Sequence, residues 1–214
     1  QKEKGMKQLL KRGVPDFFTK FIAKNDPGNW EDISPVRQEL REHLLKEQGN
    51  CCAYTEIRLA GNESCHIDHY YTRNLFPQKT FEYDNMLVSC NSEKYGAKYK
   101  DKQIKTVDDY NNLVNPVEDP PSDYLEFSFT GELIPTGGCV KGKKTISFFN
   151  LNEKTLIERR KTMVTCLLQM KNDLTEDEMV ESIGEFETMT RQLYKDCIEE
   201  TPIPYEHHDN TIEF

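Results

Sequence analysis

The sequence predicts an α+β fold, and three features carry that expectation. Apolar residues recur at helical spacing along residues 35–45, 153–171 and 176–197. Runs of β-branched and aromatic residues at 51–72, 124–134 and 145–150 read as short strands. Clusters of Gly, Pro and Asn at 26–29, 60–63 and 115–122 separate these segments.

Taken in order, residues 6–24 alternate apolar and basic positions around Pro15 and the Phe17, Phe18, Phe21 cluster, which suits a short helix or an extended arm. Ser34-Pro35 is expected to open a helix, with Ser34 as N-cap and Pro35 at the first helical position, where its missing N–H costs nothing. Val36, Leu40, Leu44 and Leu45 give that helix one apolar stripe, and Gly49 ends it. Two short strands are expected around the turn Ala60-Gly61-Asn62-Glu63, then a loop and a helix over 84–101. A hairpin follows, with Tyr124 to Thr130 and Glu132 to Ile134 flanking Gly131, and Thr145 to Asn150 reads as a further strand. Two helices are expected to close the chain. The second opens on the capping box Thr175 to Glu178 and continues along Met179, Ile183, Phe186, Met189, Leu193 and Cys197.

At 36% apolar and 30% charged residues, the 214-residue chain has a globular composition with no apolar stretch long enough to span a bilayer. Its lysine-rich start lacks the apolar segment of an export signal, and seven cysteines without regular spacing suit a reducing compartment, so a cytoplasmic location is expected. The net charge of −9 is unevenly distributed. Residues 173–214 hold 13 acids and 2 bases, leaving 26 bases against 24 acids before them. Within that earlier part, residues 94–105 carry five lysines and one aspartate, with smaller clusters at Lys141, Lys143, Lys144 and at Arg159, Arg160, Lys161. Phosphate affinity follows such local clusters, so the acidic total does not exclude nucleic acid. No G-x-x-x-x-G-K-[ST] loop occurs, so ATP use is not expected of this chain.

The segment dense in chemistry is His66-Ile67-Asp68-His69. On a strand His66 and Asp68 share a face, and a carboxylate beside an imidazole suits a divalent cation. An imidazole that titrates near neutrality, His69, can take a proton from an attacking water. Asn85 lies sixteen residues after His69, within Asp84-Asn85-Met86-Leu87-Val88-Ser89-Cys90, and the lysine run follows. This order resembles the HNH nuclease family. The resemblance extends through Trp30, Cys52-Ala53-Tyr54-Thr55, Asn115-Pro116, Gly131-Glu132-Leu133, Leu151-Asn152 and Leu156 to Arg160, over roughly residues 30–170. Within that family it looks like the nuclease component of Septu-type antiphage systems, some encoded beside retrons.

The resemblance implies a ββα-metal core flanked by N-terminal and C-terminal helices, with a small β-hairpin insertion. It implies a general base at His69, a ligand for Mg²⁺ or Mn²⁺ at Asp68 and a loop-bracing Asn85. His66 and Asn91 are both candidates for the remaining ligand, and His66 also counts among the catalytic candidates. Lys94, Lys98, Lys100 and Lys102 are expected to meet phosphates. An ABC-type ATPase is the implied partner, with DNA as the first substrate, RNA or tRNA as the alternative, and a catalytically degraded binding module as a further alternative. The family's structural zinc would need two cysteine pairs. Only Cys52 and Cys90 stand in place here, with Thr55 where a third cysteine falls. On this reading the chain divides into an arm and helix (1–50), an HNH core (51–105), a loop and hairpin region (106–150), and C-terminal helices with an acidic tail (151–214).

Overall fold

A computed structural model of the chain describes residues 5–61 and 64–199. Residues 6–15 have no regular secondary structure and bury Met6 and Leu9, with the Leu9 amide donating to the Pro116 carbonyl at 2.8 Å. Helix α1 (Asp16–Asn25) starts directly after Pro15 and buries Phe18. A 3₁₀ turn, Trp30–Ile33, is capped by Asn29 and Asp32 in a reciprocal box and runs straight into α2 (Ser34–Glu47). The cap expected at Ser34 is therefore supplied upstream by Asn29, and Ser34 lies within the helical run. Leu40, Leu44 and Leu45 are buried, and Gly49, at φ +70°, leaves the helix as expected.

Only one of the two strands expected at 51–72 forms. Residues 52–57 close a tight turn, with the Cys52 amide donating to the Ile57 carbonyl and Glu56 at φ +58°. That leaves a single bridge between Cys51 and Arg58 in place of a ladder. Strand β1 (Cys65–His69) instead pairs antiparallel with β2 (Met86–Cys90), in the register Cys65 to Cys90, His66 to Ser89 and His69 to Met86. The segment expected as a loop is thus a strand. All five of its residues are buried, so it shows no polar alternation to announce itself. Helix α3 (Ala97–Gln103) follows, giving a β-hairpin and helix in succession. Gly96, at φ +78°, lets the chain approach β2: a Cβ there would lie 3.2 Å from Ser89 Oγ.

The second hairpin, β3 (Leu125–Phe127) and β4 (Leu133–Pro135), forms where the sequence places it. Its Gly131 turn presses on the next long helix, where a Cβ would lie 2.7 Å from the Ile157 carbonyl. Thr145 to Asn150 corrects another expectation. It belongs to helix α4 (Val140–Phe149), capped by Cys139 Sγ accepting from the Gly142 amide and ended by Asn150 at φ +49°. Gly142, Thr145 and Phe149 are the buried positions, at helical spacing, so packing overrides the β preference of the local residues. Helix α5 (Lys154–Met170) matches its expected span. The closing segment is two helices where one was expected. The Thr175 box starts α6 (Glu176–Ile183), then Gly184 at φ +71° and Phe186 at φ +51° turn the chain into α7 (Glu187–Glu199). One buried cluster runs from Met6 to Cys197. No helix among the described residues is long and apolar enough to cross a membrane. His207, His208 and the acidic end of the tail lie outside the described residues.

Candidate active site

A cleft of about 410 Å³ opens over β1 and α3, lined by His66, Ile67, Asp68, His69, the stretch Thr72 to Leu75, Asp101, Ile104 and Lys105. Asp68 is 4% exposed and turns toward α3, where Lys100 Nζ donates to its Oδ2 at 3.0 Å and the Tyr54 hydroxyl donates to the same oxygen. Burial disfavours the carboxylate, but the Lys100 ammonium and the Tyr54 hydroxyl outweigh it and hold Asp68 below the ordinary carboxyl range. Its Oδ1 makes no hydrogen bond among the described residues.

His69, at the end of β1, also lines the cleft and packs edge-on against Trp30, ring centroids 4.5 Å apart. Its Nε2 lies 2.9 Å from the Thr80 carbonyl oxygen. A carbonyl only accepts, so Nε2 carries the proton and Nδ1 holds the lone pair. Burial pushes the imidazole down to about 4, so His69 is neutral across the physiological range.

The residue before Thr80, Lys79, is held through its carbonyl by Asn85. The Asn85 side chain donates to the carbonyls of Tyr71 at 3.0 Å and Lys79 at 3.1 Å, and accepts from the Tyr71 amide at 2.7 Å. One buried amide thereby ties both ends of the 70–80 loop to the start of β2, and the histidine ring inherits its orientation.

His66 Nδ1 sits 2.9 Å from Asn91 Oδ1. The amide oxygen accepts there, which leaves Nε2 unprotonated and able to bind a metal, with Asn91 as the group behind it. Asp101, on α3, also lines the cleft. Burial and the nearby Asp68 raise its carboxyl, while Lys100 and His66 act against that rise. Sequence reasoning missed Asp101, because within a lysine run it looked like a counter-charge. No local pattern marks it, because only the packing of α3 against β1 brings it to the cleft. No three His, Cys, Asp or Glu side chains among the described residues converge as a closed ligand set. A hard ion such as Mg²⁺ needs only one or two carboxylates, because it keeps waters and shares substrate phosphates. Asp68 Oδ1, His66 Nε2 and Asp101 on one open cleft fit that requirement.

They do not extend to a second, structural zinc. Cys52 and Cys90 are hydrogen-bonded neighbours, Thr55 is buried beside them, and two thiols with a threonine are not a zinc set. Burial opposes a Cys52 thiolate, yet the hydrogen bond from Cys90, with others at that sulfur, holds it below the ordinary thiol range.

The lysine run divides. Lys100 cannot meet a phosphate, contrary to expectation: it is fully buried, and its three protons go to Asp68, the His69 carbonyl and the Tyr70 carbonyl, each at 3.0 Å. Lys98 and Lys102 both pair with Glu93, at 3.0 and 2.8 Å. Lys94 is exposed, but it is not among the residues lining the cleft. Elsewhere Arg159 holds Glu185 through two bonds, Arg160 is buried on the Gly131 and Leu151 carbonyls, and Lys141 pairs with Asp119.

Two known proteins are similar to this chain in sequence. The chain is 24% identical over 205 residues to an Escherichia coli protein named "Retron Ec83 putative HNH endonuclease", covering 74% of this chain and 79% of the relative. It is 30% identical over 151 residues to the Septu protein PtuB of Bacillus mycoides, covering 58% of this chain and half of that relative's length. No family model matches the chain. The chain is similar, then, to an HNH endonuclease and a Septu protein, as the residue order of its central segment implied.

Proposed function

We propose that the chain is a metal-dependent HNH endonuclease of an antiphage system. It hydrolyses phosphodiester bonds in nucleic acid, DNA first, from a ββα-metal core formed by β1, β2 and α3. The observation that carries this reading is His69: neutral, its Nε2 spent on the Thr80 carbonyl, its Nδ1 left basic, and its neighbour Asp68 held ionised in the same cleft. That arrangement gives the protonation states that general-base activation of water uses, an imidazole lone pair beside an ionised carboxylate.

In this mechanism His69 Nδ1 removes a proton from a water as its oxygen bonds to phosphorus. The P–O bond to the leaving sugar oxygen breaks, and that oxygen takes a proton from solvent. His66 and Asp68, with Asp101 beside them, would hold the divalent ion, which when bound supplies charge stabilisation to the phosphate and the leaving oxygen. Asn91 steadies His66, and Asn85 steadies the loop that orients His69. Lys100 keeps Asp68 ionised from behind. Substrate recruitment is expected to depend on an ABC-type ATPase of the same defence system, since few of the chain's clustered cations remain unspent.

Incubating the protein with plasmid DNA or tRNA and Mg²⁺ or Mn²⁺, with and without that ATPase, tests the reading. His69→Ala should lose at least about 10²-fold in rate, the usual scale of a general base. Wild-type kcat/KM should stay level from neutral pH downward and fall only through about pH 4 as His69 protonates. Undiminished cleavage by His69→Ala would end the mechanism.

A further inference from the structure

Phosphates must be held over an acidic floor, since Asp68 and Asp101 both line the cleft. The lysines that the sequence offered for this are spent or absent from it: Lys100 is buried, Lys98 and Lys102 pair with Glu93, and Lys94 lies outside the lining. Two other cations do line the cleft. Arg73 enters from the loop after β1 and Lys105 from just beyond the end of α3, and both are exposed. Neither side chain forms an ion pair or hydrogen bond with another described residue.

Arg73 is also held in place. Its guanidinium lies 5.5 Å from the centroid of the Trp30 ring, the same ring that packs edge-on against His69. A planar cation steadied by an aromatic ring loses less freedom on meeting a phosphate than a free lysine does. Trp30 therefore contacts both the base and a cation of the cleft lining.

We infer that Arg73 and Lys105 form a two-point phosphate grip, one cation from each wall of the cleft, binding nucleic-acid backbone phosphates to either side of the bond that His69 addresses. This rests on the nuclease reading and deepens it, moving the substrate contact from the lysine face of α3 to the cleft rim. The grip reads charge and spacing only, so it is indifferent to base sequence.

The test uses the full chain in a His69→Ala background, which binds without cutting. Fluorescence anisotropy with a short labelled DNA duplex across a salt series gives the affinity and its salt slope. Arg73→Gln and Lys105→Gln, both at exposed positions, should each weaken binding and lower the slope by about 0.9, one phosphate's worth of released counterions. Lys98→Gln and Lys102→Gln should leave the slope unchanged. A duplex that binds with the same slope in Arg73→Gln and Lys105→Gln overturns the grip and leaves the nuclease reading standing. Absence of both duplex binding here and plasmid cleavage by the wild type overturns the two together.

Discussion

Asp68 and Glu56 are both buried carboxylates, 4% and 3% exposed, and the protein treats them oppositely. Asp68 spends one oxygen on a lysine and a tyrosine and keeps the other for an open cleft. Glu56 spends both. The amide of Lys7 donates to Oε1 at 3.1 Å and that of Thr188 to Oε2 at 3.0 Å, with the Thr188 hydroxyl also against Oε1. Glu56 borders a cleft too, of about 330 Å³, where Lys7 pairs with Glu187 at 2.6 Å and Glu185 with Arg159. Burial alone therefore does not mark a site. What distinguishes Asp68 is charge kept in place by a dedicated cation, with an oxygen left unspent.

The sharpest way to break that contrast is to remove the cation. Lys100→Met would leave Asp68 buried without its counter-charge, and losing one partner of a buried pair costs about 3–5 kcal/mol. Urea unfolding should show that loss, and adding Asp68→Asn to Lys100→Met should recover most of it, because no unpaired charge then remains. A single-variant loss below about 1 kcal/mol, the range of an ordinary substitution, would mean that Lys100 is not what sustains Asp68.

The next effect belongs to Asn85. Asn85→Ala frees the 70–80 loop, so Thr80 no longer fixes the imidazole, and a misplaced base costs about 10²-fold. The loss should fall on kcat with KM little changed. As the loop loosens and His69 gains solvent, the acid limb of the rate profile should climb from about pH 4 toward the ordinary imidazole value. A lower rate with the limb unmoved would reduce Asn85 to a stability residue.

The reach of the sequence differs between the two carboxylates for a physical reason. His66, Asp68, His69 and Asn85 lie within twenty residues and carry chemistry in their identities, so order and spacing made them visible. Cap and hairpin signals at Thr175 and Gly131 were legible for the same reason: they are local. Asp101 and Arg73 were not, because only the packing of α3 and the loop after β1 brings them to one cleft. Glu56 meets Thr188 across 132 positions of chain, and no local pattern encodes that contact. The helix at 140–149 and the strand at 86–90 were misread because tertiary burial, rather than periodicity or propensity, decided them.

The smallest effect separates the carboxylates by the sign of their pH dependence. Burial raises the Glu56 carboxyl above its unfolded value, despite the Thr188 hydrogen bonds that oppose the rise. The Thr188 hydroxyl touches both Glu56 and the Gly5 carbonyl, and its single proton can serve only one of them. A proton on Glu56 satisfies the other contact. For a raised acid the folded state binds the proton more tightly, so its stabilisation is complete below about pH 4.3 and is lost as pH rises through the folded value. Asp68, held low, does the reverse: its contribution is complete above about pH 3.9 and is lost as pH falls through its folded value. Glu56→Gln removes the first titration while depriving the Lys7 amide of an acceptor at every pH, so the slope of stability is the informative quantity. Urea midpoints from pH 4 to 8 should decline less steeply toward the alkaline end in Glu56→Gln than in wild type. In a series extended below about pH 3.9, the double variant Asp68→Asn with Lys100→Met should instead flatten the acid end. Wild-type and Glu56→Gln curves that run parallel would mean that Glu56 is ionised in the fold, and the two carboxylates would then differ in their partners but not in their charge.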